Sequence, residues 1–341
     1  HLRIVELKKL YPLVISRGVT TGSKNLFVTV TDGDLTGIGE CAPGTGFDET
    51  LAQIAFPQLE ALAPEISKRS IHAIYDLAIE HEVHPTALAG LDIALWDLLA
   101  KKAGMPLYKM LGLSNKSVPT SVTIGINPPD VIRERVPEIL SRTGGKRLKI
   151  KLGTPEGIER DKENYLAAKE AAHPFGVELR VDANGGWTVP DAKHMMSWLA
   201  ERDAGYCEQP LAEGEEDGLL ELFENRPLPL FADESCRMSQ DVPKLADRVD
   251  GVNLKLMKCG GITEALRIVA TARACGLKTM IGCMGESSVA IAAGAAMGAL
   301  FDFIDLDSQL NLNPDPAGGL GFVDGCVVPR DVPGHGAYLN A

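Results

Sequence analysis

The sequence lacks an excess of positive charge. Its 341 residues contain 34 Lys and Arg against 46 Asp and Glu, which gives a formal net charge of −12. Nucleic acids and anionic membranes both bind clustered Lys and Arg, so this balance argues against either as a partner. Beyond solubility, the charge balance indicates little else.

A long hydrophobic run is also missing. A membrane-spanning helix needs about 20 consecutive apolar residues. The most apolar stretch, residues 289–300, is shorter than that and rich in Ala and Gly, so we interpret it as a packed interior helix. The first six residues show no basic segment followed by an apolar one, so no signal peptide is visible and a cytoplasmic location is expected.

Cysteine pairs and two common enzyme motifs are absent too. The seven cysteines are scattered, and none belongs to a Cys-x-x-Cys pair, so we expect free thiols in a reducing compartment. No Gly-x-Ser-x-Gly elbow occurs. The glycine clusters at 44–46 and 318–321 lack the strand–helix context of a dinucleotide site, and we interpret both as loops.

The chain does contain two regions with different patterns of apolar residues. Residues 2–7, 26–31 and 36–40 have strand character, and Asp32-Gly33-Asp34 supplies turn chemistry between the last two. Residues 86–100 carry Leu at spacings of three and four, which predicts an amphipathic helix. We therefore predict an α+β unit over residues 1–115.

After Ser114 the pattern alternates between strands and helices. Strands separated by helices of about 10–15 residues predict a parallel sheet, and eight such strands favour a barrel over an open sheet. We predict a modified TIM-type (β/α)7β barrel over 116–311, with an α+β capping domain that the Gly- and Pro-rich tail 312–341 completes. The candidate strands are 120–125, 147–152, 178–182, 205–208, 230–233, 251–256, 278–283 and 301–307.

Three carboxylates end successive predicted strands, namely Asp182, Glu208 and Asp233. A single carboxylate at such a position is often a helix N-cap. In a barrel, however, the three would converge at the carboxyl ends of the strands and repel one another unless a cation is present. Ligands that are all oxygen favour a hard ion, so Mg²⁺ is the first expectation and Mn²⁺ the second.

Lysines occupy two other strand ends. Lys149 and Lys151 are two residues apart and point to one face of their strand, for which an edge strand with a solvated face is the alternative interpretation. Lys255 ends a later strand and should face Lys151 across the barrel mouth. Two amines that flank a metal-bound carboxylate can remove and return a proton at one carbon. Lys258 is interpreted as a loop lysine.

Asp305 and Asp307 end the eighth predicted strand and point the same way. The metal already has three carboxylates, so this pair calls for another cation. A substrate ammonium would suit it. A structural contact with a Lys or Arg of the cap is the alternative, and the sequence leaves both open.

In their order and spacing, these motifs resemble the muconate lactonizing enzyme subgroup of the enolase superfamily, over essentially the whole chain. That superfamily uses a Lys or His base with Mg²⁺. The resemblance implies that Lys151 and Lys255 are the acid/base pair and that Lys149 helps to hold the substrate carboxylate. It implies that the metal ligands are Asp182, Glu208 and Asp233. The histidine of the mandelate-racemase-like subgroup is missing after the seventh strand, where residues 282–287 read Gly-Cys-Met-Gly-Glu-Ser.

Within the subgroup, the Asp305-x-Asp307 pattern is similar to that of the dipeptide epimerases, in which it binds the substrate ammonium. The implied reaction is epimerisation of the C-terminal residue of an L,X-dipeptide, such as L-Ala-L-Glu from cell-wall peptides. Arg17 and Lys24, in an expected mobile loop over 16–24, are the candidates for contacting the side chain of that residue. A second cap loop, 43–48, would complete the pocket. A homo-oligomer is expected.

Two other interpretations remain. The same site could serve as an N-acylamino acid racemase, an o-succinylbenzoate synthase or a muconate cycloisomerase. The aspartate pair argues against these, because their substrates carry no ammonium there. A non-catalytic binding protein on a barrel is the alternative of another class.

Overall fold

A three-stranded antiparallel sheet forms one face of the N-terminal unit. The computed structural model describes residues 1–43 and 50–340, so residues 44–48 of the predicted second cap loop lie outside the described residues. The strands β1 (Leu2–Ile15), β2 (Gly18–Asp32) and β3 (Leu35–Cys41) pair in that order. The register of β1 shifts between Lys8 and Leu13. Pro12 lies in this interval and cannot donate to the ladder.

The prediction of a loop over 16–24 is wrong. Strand β1 continues to Ile15 and β2 begins at Gly18, so only Ser16 and Arg17 form the turn of a long hairpin. Val14 pairs with Val19 near its tip. Branched side chains of this kind favour extended backbone and pack well across strands, which explains why the strands extend so far.

Four α-helices lie in the described part of the N-terminal unit, and one of them packs on the sheet without intervening side chains. A Cβ on Gly39 would lie 1.9 Å from the carbonyl oxygen of Gly90, and a Cβ on Gly37 would lie 2.0 Å from that of Ala94. Strand β3 and the third helix therefore meet backbone to backbone. The helices are α1 (Thr50–Leu62), α2 (Ile71–Glu80), α3 (Pro85–Lys102) and α4 (Leu107–Met110).

Eight parallel strands form the second unit, and they pair in the order of the sequence. A parallel bridge between Thr120 and Ile304 joins the first strand to the last, which closes the barrel. The predicted fold class is confirmed. The strands are β4 (Ser121–Ile124), β5 (Arg147–Lys151), β6 (Glu178–Asp182), β7 (Ala204–Glu208), β8 (Leu230–Ala232), β9 (Gly251–Lys255), β10 (Lys278–Gly282) and β11 (Phe303–Ile304).

Helices alternate with these strands. The last of them, Ser288–Ala296, takes up most of the apolar segment 289–300, and each of the nine residues of this helix is buried. Nowhere in the described ranges is a helix both long enough and apolar enough to cross a membrane. The helices are α5 (Pro129–Thr143), α6 (Ile158–Ala172), α7 (Val189–Ala200), α8 (Asp217–Phe223), α9 (Val242–Leu245), α10 (Leu256–Cys259), α11 (Ile262–Ala274) and α12 (Ser288–Ala296).

The barrel interior has an aromatic layer below its polar end. The rings of Tyr206, Phe231 and Phe303 lie 5.0–5.5 Å apart between centroids, and the Arg180 guanidinium stacks on two of them. Because inward-facing side chains alternate along a strand, the next inward position on each of these four strands lies toward the carboxyl end. Those positions are Asp182, Glu208, Asp233 and Asp305.

The tail of the chain returns to the first strand. Lys9 forms an antiparallel bridge with Leu312, and the backbone N–H of Asn313 donates to the carbonyl of Lys8 at 2.9 Å. Two short antiparallel strand pairs follow, one of which lies between the two strands of the other in the sequence. Their strands are β12 (Ala317–Gly318), β13 (Leu320–Val323), β14 (Cys326–Pro329) and β15 (Tyr338–Leu339). All seven cysteines are free thiols.

Candidate active site

Asp182, Glu208 and Asp233 lie together at the carboxyl ends of β6, β7 and β8. One carboxylate oxygen from each lies within 4.8 Å of the others, and all three side chains are fully buried. Three buried carboxylates at this separation repel one another strongly unless cations are close. An all-oxygen donor set of this size fits a hard divalent ion such as Mg²⁺.

Lys149 lies beside two members of this cluster and beside Asp305. Its Nζ is 2.5 Å from Asp305 Oδ2, 2.8 Å from Glu208 Oε2 and 3.3 Å from Asp182 Oδ2. Burial opposes its charge, but these carboxylates outweigh burial and raise the pKa of the Lys149 amine. The charged form of the Lys149 amine is therefore favoured by Asp305, Glu208 and Asp182.

Lys151 and Lys255 contact different members of the cluster. The Nζ of Lys151 lies 2.6 Å from Asp182 Oδ2, and the Nζ of Lys255 lies 2.6 Å from Asp233 Oδ2. Burial opposes the charge of Lys255, but Asp233 and Glu234 raise the pKa of its amine. The two amines are thus held beside different carboxylates of one cluster.

Burial has the largest effect on the pKa of the Glu208 carboxyl. Together with the nearby charges of Asp182 and Asp233, burial raises the pKa of Glu208 to about 8, although Lys149 opposes this. Asp182 behaves differently, because Lys151 and Lys149 outweigh its burial and lower its pKa to about 2. The cluster is an environment in which an added positive charge is favourable.

The interpretation of Lys258 as a loop lysine is wrong. It lies in helix α10, its side chain is 5% exposed, and its Nζ contacts Asp233 Oδ1 at 2.5 Å. The same amine donates to the backbone carbonyls of Asp233 and Asn253. The apolar neighbours of Lys258 in Leu-Met-Lys-Cys were the one sequence signal of its burial.

Polar side chains around the carboxylates fix their orientation. Asn253 Nδ2 donates to Glu208 Oε1 at 2.8 Å, and the backbone N–H of Asn184 donates to Asp182 Oδ1 at 2.8 Å. Gln209 Oε1 accepts from the backbone N–H of Asp233 at 2.8 Å. Asn184 and Gln209 have φ of 44° and 36°, a strained region for residues other than Gly that is often found at functional sites. No role for these amides was predicted from the sequence.

Asp305 and Asp307 have different surroundings. Asp305 Oδ2 contacts Lys149, whereas its Oδ1 is buried and has no hydrogen-bond partner in the described part of the chain. Asp307 Oδ2 accepts from the backbone N–H of Thr123 at 2.7 Å. Burial and the charge of Asp305 raise the pKa of Asp307 to about 6. Within residues 1–43 and 50–340, no ion pair joins either aspartate to a Lys or Arg of the cap, although the charge of Asp307 acts on the amine of Lys9 in β1.

A cavity of about 600 Å³ lies above the cluster, between the cap hairpin and the barrel. Its volume lies within the range of roughly 300–1,000 Å³ that small-molecule sites occupy. Both Lys151 and Lys255 line it. The cap contributes the hairpin tip and the barrel contributes loops that follow its strands. The lining residues are Lys9, Leu13, Ile15, Arg17, Gly18, Val19, Thr20, Pro43, Lys151, Asn184, Gly185, Gln209, Ala212, Glu213, Glu234, Arg237, Lys255, Lys258, Cys283, Met284 and Gly285.

The two candidates for contacting a substrate side chain lie in different places. Arg17 lines the cavity, but its guanidinium contacts the barrel, with Nη1 2.7 Å from the carbonyl oxygen of Asn184 and Nη2 2.5 Å from Glu234 Oε1. Lys24 lies within β2, opposite Glu6, and is not among the residues that line the cavity.

Two family models match the chain along most of its length. The model described as the mandelate racemase / muconate lactonizing enzyme N-terminal domain matches residues 1–112. The model described as the enolase C-terminal domain-like matches residues 131–341. Together they cover both the cap and the barrel.

Individual proteins are similar over nearly the full length. A "hydrophobic dipeptide epimerase" of Roseobacter litoralis is 60% identical, covering 98% of this chain and 97% of the relative. A protein of the same description from a Flavobacteria bacterium is 56% identical, also over 98% and 97%. A crystal structure of a dipeptide epimerase from Enterococcus faecalis, complexed with Mg and L-Leu-L-Tyr, has a TM-score of 0.89 at 31% identity, over 99% of this chain and 98% of that one.

Proposed function

The chain belongs to the mandelate racemase / muconate lactonizing enzyme family, and we propose that this epimerase inverts the α-carbon of the C-terminal residue of a dipeptide. The single observation that carries the proposal is the pair Lys151 and Lys255. Both line one cavity, and each is held by a different carboxylate of the metal-type cluster. This is the arrangement that proton exchange at one carbon requires.

In the proposed reaction, the Nζ of one lysine takes the α-proton of the substrate. The Nζ of the other lysine then gives a proton to the same carbon from the opposite face, which inverts the centre. A neutral and a protonated amine exchange roles between the two directions. Lys149 supplies a fixed positive charge for the substrate carboxylate.

The proposed metal ligands are Asp182, Glu208 and Asp233, with Mg²⁺ as the first choice and Mn²⁺ as the second. A divalent cation bound there would supply positive charge next to the substrate carboxylate and so make the α-proton more acidic. The three carboxylates belong to strand ends of a closed barrel, so their positions are set by the sheet rather than by mobile loops.

The proposed site for the substrate ammonium is the pair Asp305 and Asp307. The unpartnered, buried Oδ1 of Asp305 supports this assignment, because an ammonium would supply the missing donor. Asp307 would contribute the second negative charge.

We further propose that the C-terminal residue of the substrate has an apolar side chain. The cap side of the cavity presents Leu13, Ile15 and Val19. Arg17 and Arg237, the arginines of the cavity wall, are already paired with Glu234 and Glu213. L-Ala-L-Glu is the second candidate substrate, and its acidic side chain could contact either arginine only by breaking one of these pairs, whereas Lys9 on the same wall is a further cation. The descriptions of the two relatives as hydrophobic dipeptide epimerases support the apolar choice.

Substitution of the two lysines tests the proposal. Lys151→Ala and Lys255→Ala should each abolish epimerisation of L-Ala-L-Leu while the circular dichroism spectrum stays that of the wild type. In deuterium oxide the wild-type enzyme should place deuterium on the α-carbon of both epimers, as read by mass spectrometry. Lys193→Ala, which changes an exposed lysine paired with Glu221, is the matched control. Epimerisation by either site variant at the wild-type rate would show that the two-lysine assignment is wrong.

The other reactions of the subgroup are tested at the aspartate pair. Asp305→Asn and Asp307→Asn should raise the KM for a dipeptide strongly and leave the KM for an N-acylated amino acid, which has no ammonium, nearly unchanged. Unchanged dipeptide kinetics in both variants would favour an N-acylamino acid racemase or a related activity.

A further inference from the structure

The tip of the cap hairpin is fastened to the barrel next to the carboxylate cluster. Three donors from two consecutive residues take part. Ser16 Oγ and Arg17 Nη1 both donate to the carbonyl oxygen of Asn184, at 2.8 and 2.7 Å. Arg17 Nη2 donates to Glu234 Oε1 at 2.5 Å. One guanidinium thus joins the loop after β6 to the loop after β8.

Of the two residues that receive these bonds, one is hydrogen-bonded to a proposed metal ligand and the other follows a proposed ligand in the chain. The backbone N–H and Nδ2 of Asn184 donate to the two carboxylate oxygens of Asp182, at 2.8 and 3.1 Å. Glu234 directly follows Asp233 in the chain, and Asn184 Nδ2 lies 3.3 Å from Glu234 Oε1. Each barrel residue that the Arg17 guanidinium contacts is therefore either hydrogen-bonded to a carboxylate residue of the cluster or next to one in the chain.

A second arginine–glutamate pair on the same cavity wall lacks this connection. Arg237 donates from Nε and Nη2 to the two oxygens of Glu213, each at 2.9 Å. Both partners lie on the barrel, and neither is bonded to Asn184 or Asp182 among the described residues. Arg237 is therefore a control for Arg17, because it forms an arginine–glutamate pair on the same wall without a link to Asp182.

We propose that Arg17 is a positioning residue that couples closure of the cap hairpin to the orientation of Asp182 and Asp233. The planar guanidinium reaches two acceptors on different loops at once, which a single ammonium could not do in the same geometry. Because coupling between two equilibria is reciprocal, metal binding to the carboxylates then favours the closed hairpin, and the closed hairpin favours metal binding. The role deepens the proposed function and rests on it for the metal.

Calorimetric titration of Mg²⁺ without substrate tests the coupling. A pure charge effect and the coupling predict opposite changes of Mg²⁺ affinity in Arg17→Met. If Arg17 acted only through its charge, Arg17→Met would remove a cation near the site and tighten Mg²⁺ binding, whereas Glu234→Gln would weaken it. Coupling predicts that both variants weaken Mg²⁺ binding, by about fivefold or more. It also predicts that the loss of Mg²⁺ affinity in the double variant is much smaller than the product of the two single losses, because both substitutions remove the same connection.

Hydrogen exchange of the hairpin gives the second readout. In the wild type, saturating Mg²⁺ should slow amide exchange in residues 13–20, and this protection should be lost in Arg17→Met. The matched control Arg237→Met removes an equal charge from the same cavity wall and should keep the Mg²⁺-dependent protection. Tighter Mg²⁺ binding in Arg17→Met, or protection that persists in it, would overturn the proposal.

The kinetic readout separates this inference from the proposed function. With a dipeptide substrate, Arg17→Met should raise KM more than it lowers kcat, and Arg17→Lys should recover only part of the loss, since an ammonium reaches one acceptor. A wild-type protein that fails to epimerise dipeptides but shows Mg²⁺-dependent protection of residues 13–20 would contradict the proposed function alone. Equal loss of kcat and unchanged KM in Arg17→Met would contradict the positioning role.

Discussion

Lys258 is a buried lysine whose amine is held in place by three hydrogen bonds. Its amine contacts Asp233 Oδ1 and two backbone carbonyls, which uses all three of its protons. Lys255, three residues earlier, contacts the other oxygen of Asp233 and also lines the cavity. One carboxylate thus holds both a structural amine and a proposed catalytic amine, and its negative charge is balanced from two sides.

Lys258→Met should therefore destabilise the fold. The substitution leaves a fully buried carboxylate with one of its two lysines missing, and removing one partner of a buried pair costs about 3–5 kcal/mol. We expect a loss of this size in the free energy of unfolding, measured by urea denaturation without metal. Lys193→Met, at an exposed pair, should change the same quantity by about 0.5 kcal/mol or less. Equal effects of the two substitutions would show that the Lys258 contacts contribute little.

At the scale of single residues, the sequence predicts which side chains lie at the ends of strands better than it predicts where a long side chain points. Asp182, Glu208 and Asp233 could be placed together because alternation and the barrel topology bring strand ends to one mouth. Arg17 could not be placed in this way. Its guanidinium turns to Glu234, 217 residues away in the chain, and no local pattern specifies such a contact.

At the scale of elements, the strand and helix periods of the barrel were readable, but the hairpin was not. Seven of the eight predicted barrel strands begin within one residue of the observed start, namely those at 121, 147, 178, 204, 230, 251 and 278. The polar and glycine-containing stretch 16–24 suggested a loop. Cross-strand pairing with β1 makes most of it a strand instead, and that pairing is a property of two segments rather than of one.

Contact between β3 and α3 gives a prediction for an element. Gly39→Ala places a Cβ against the carbonyl of Gly90, so strand and helix must move apart, and neither is a flexible side chain. We expect a loss of about 3 kcal/mol or more in the free energy of unfolding, at the upper end of the usual cost of overpacking.

Gly321→Ala is the matched control for this prediction. It also lies in a strand, but its Cβ would be 3.5 Å from the nearest atom, the carbonyl oxygen of Val328, which is an ordinary contact. The melting temperature of this variant should stay close to that of the wild type. If Gly39→Ala were equally harmless, the backbone contact would not limit the packing of α3.

At the scale of the whole molecule, buried carboxylates join the cap to the barrel. Asp92 of α3 accepts from the backbone N–H and the hydroxyl of Thr263, at 3.0 and 2.5 Å, at the start of α11. Glu40 of β3 accepts from the backbone N–H and hydroxyl of Ser287 at the start of α12. Each carboxylate from the cap thus caps a helix of the barrel, a favourable position for an acidic group.

The Asp92 contact makes a pH dependence testable. Burial raises the pKa of Asp92 from its ordinary 3.8 to about 7. Between these values the folded state binds one proton more than the unfolded state, so the free energy of unfolding falls as the pH rises from about 4 to about 7. The expected contribution is on the order of a few kcal/mol.

The measurement compares the wild type with Asp92→Asn by urea denaturation at pH 5 and pH 8. The variant lacks the titrating group, so the stability of the wild type relative to the variant should decrease from pH 5 to pH 8. A difference between the two proteins that is the same at both values would mean that Asp92 keeps an ordinary pKa in the folded state.

The bridge between Lys9 and Leu312 has a consequence for the order in which the protein can fold during its synthesis. Roughly 300 residues separate these partners. At a translation rate of about 5–20 residues per second, the outer edge of β1 leaves the ribosome about 15–60 s before the segment that covers it has been made. During that interval the nascent cap carries an open strand edge, which is the kind of surface that pairs with other chains. Strand β1 is thus completed at Lys9 only by a segment that is made roughly 300 residues later.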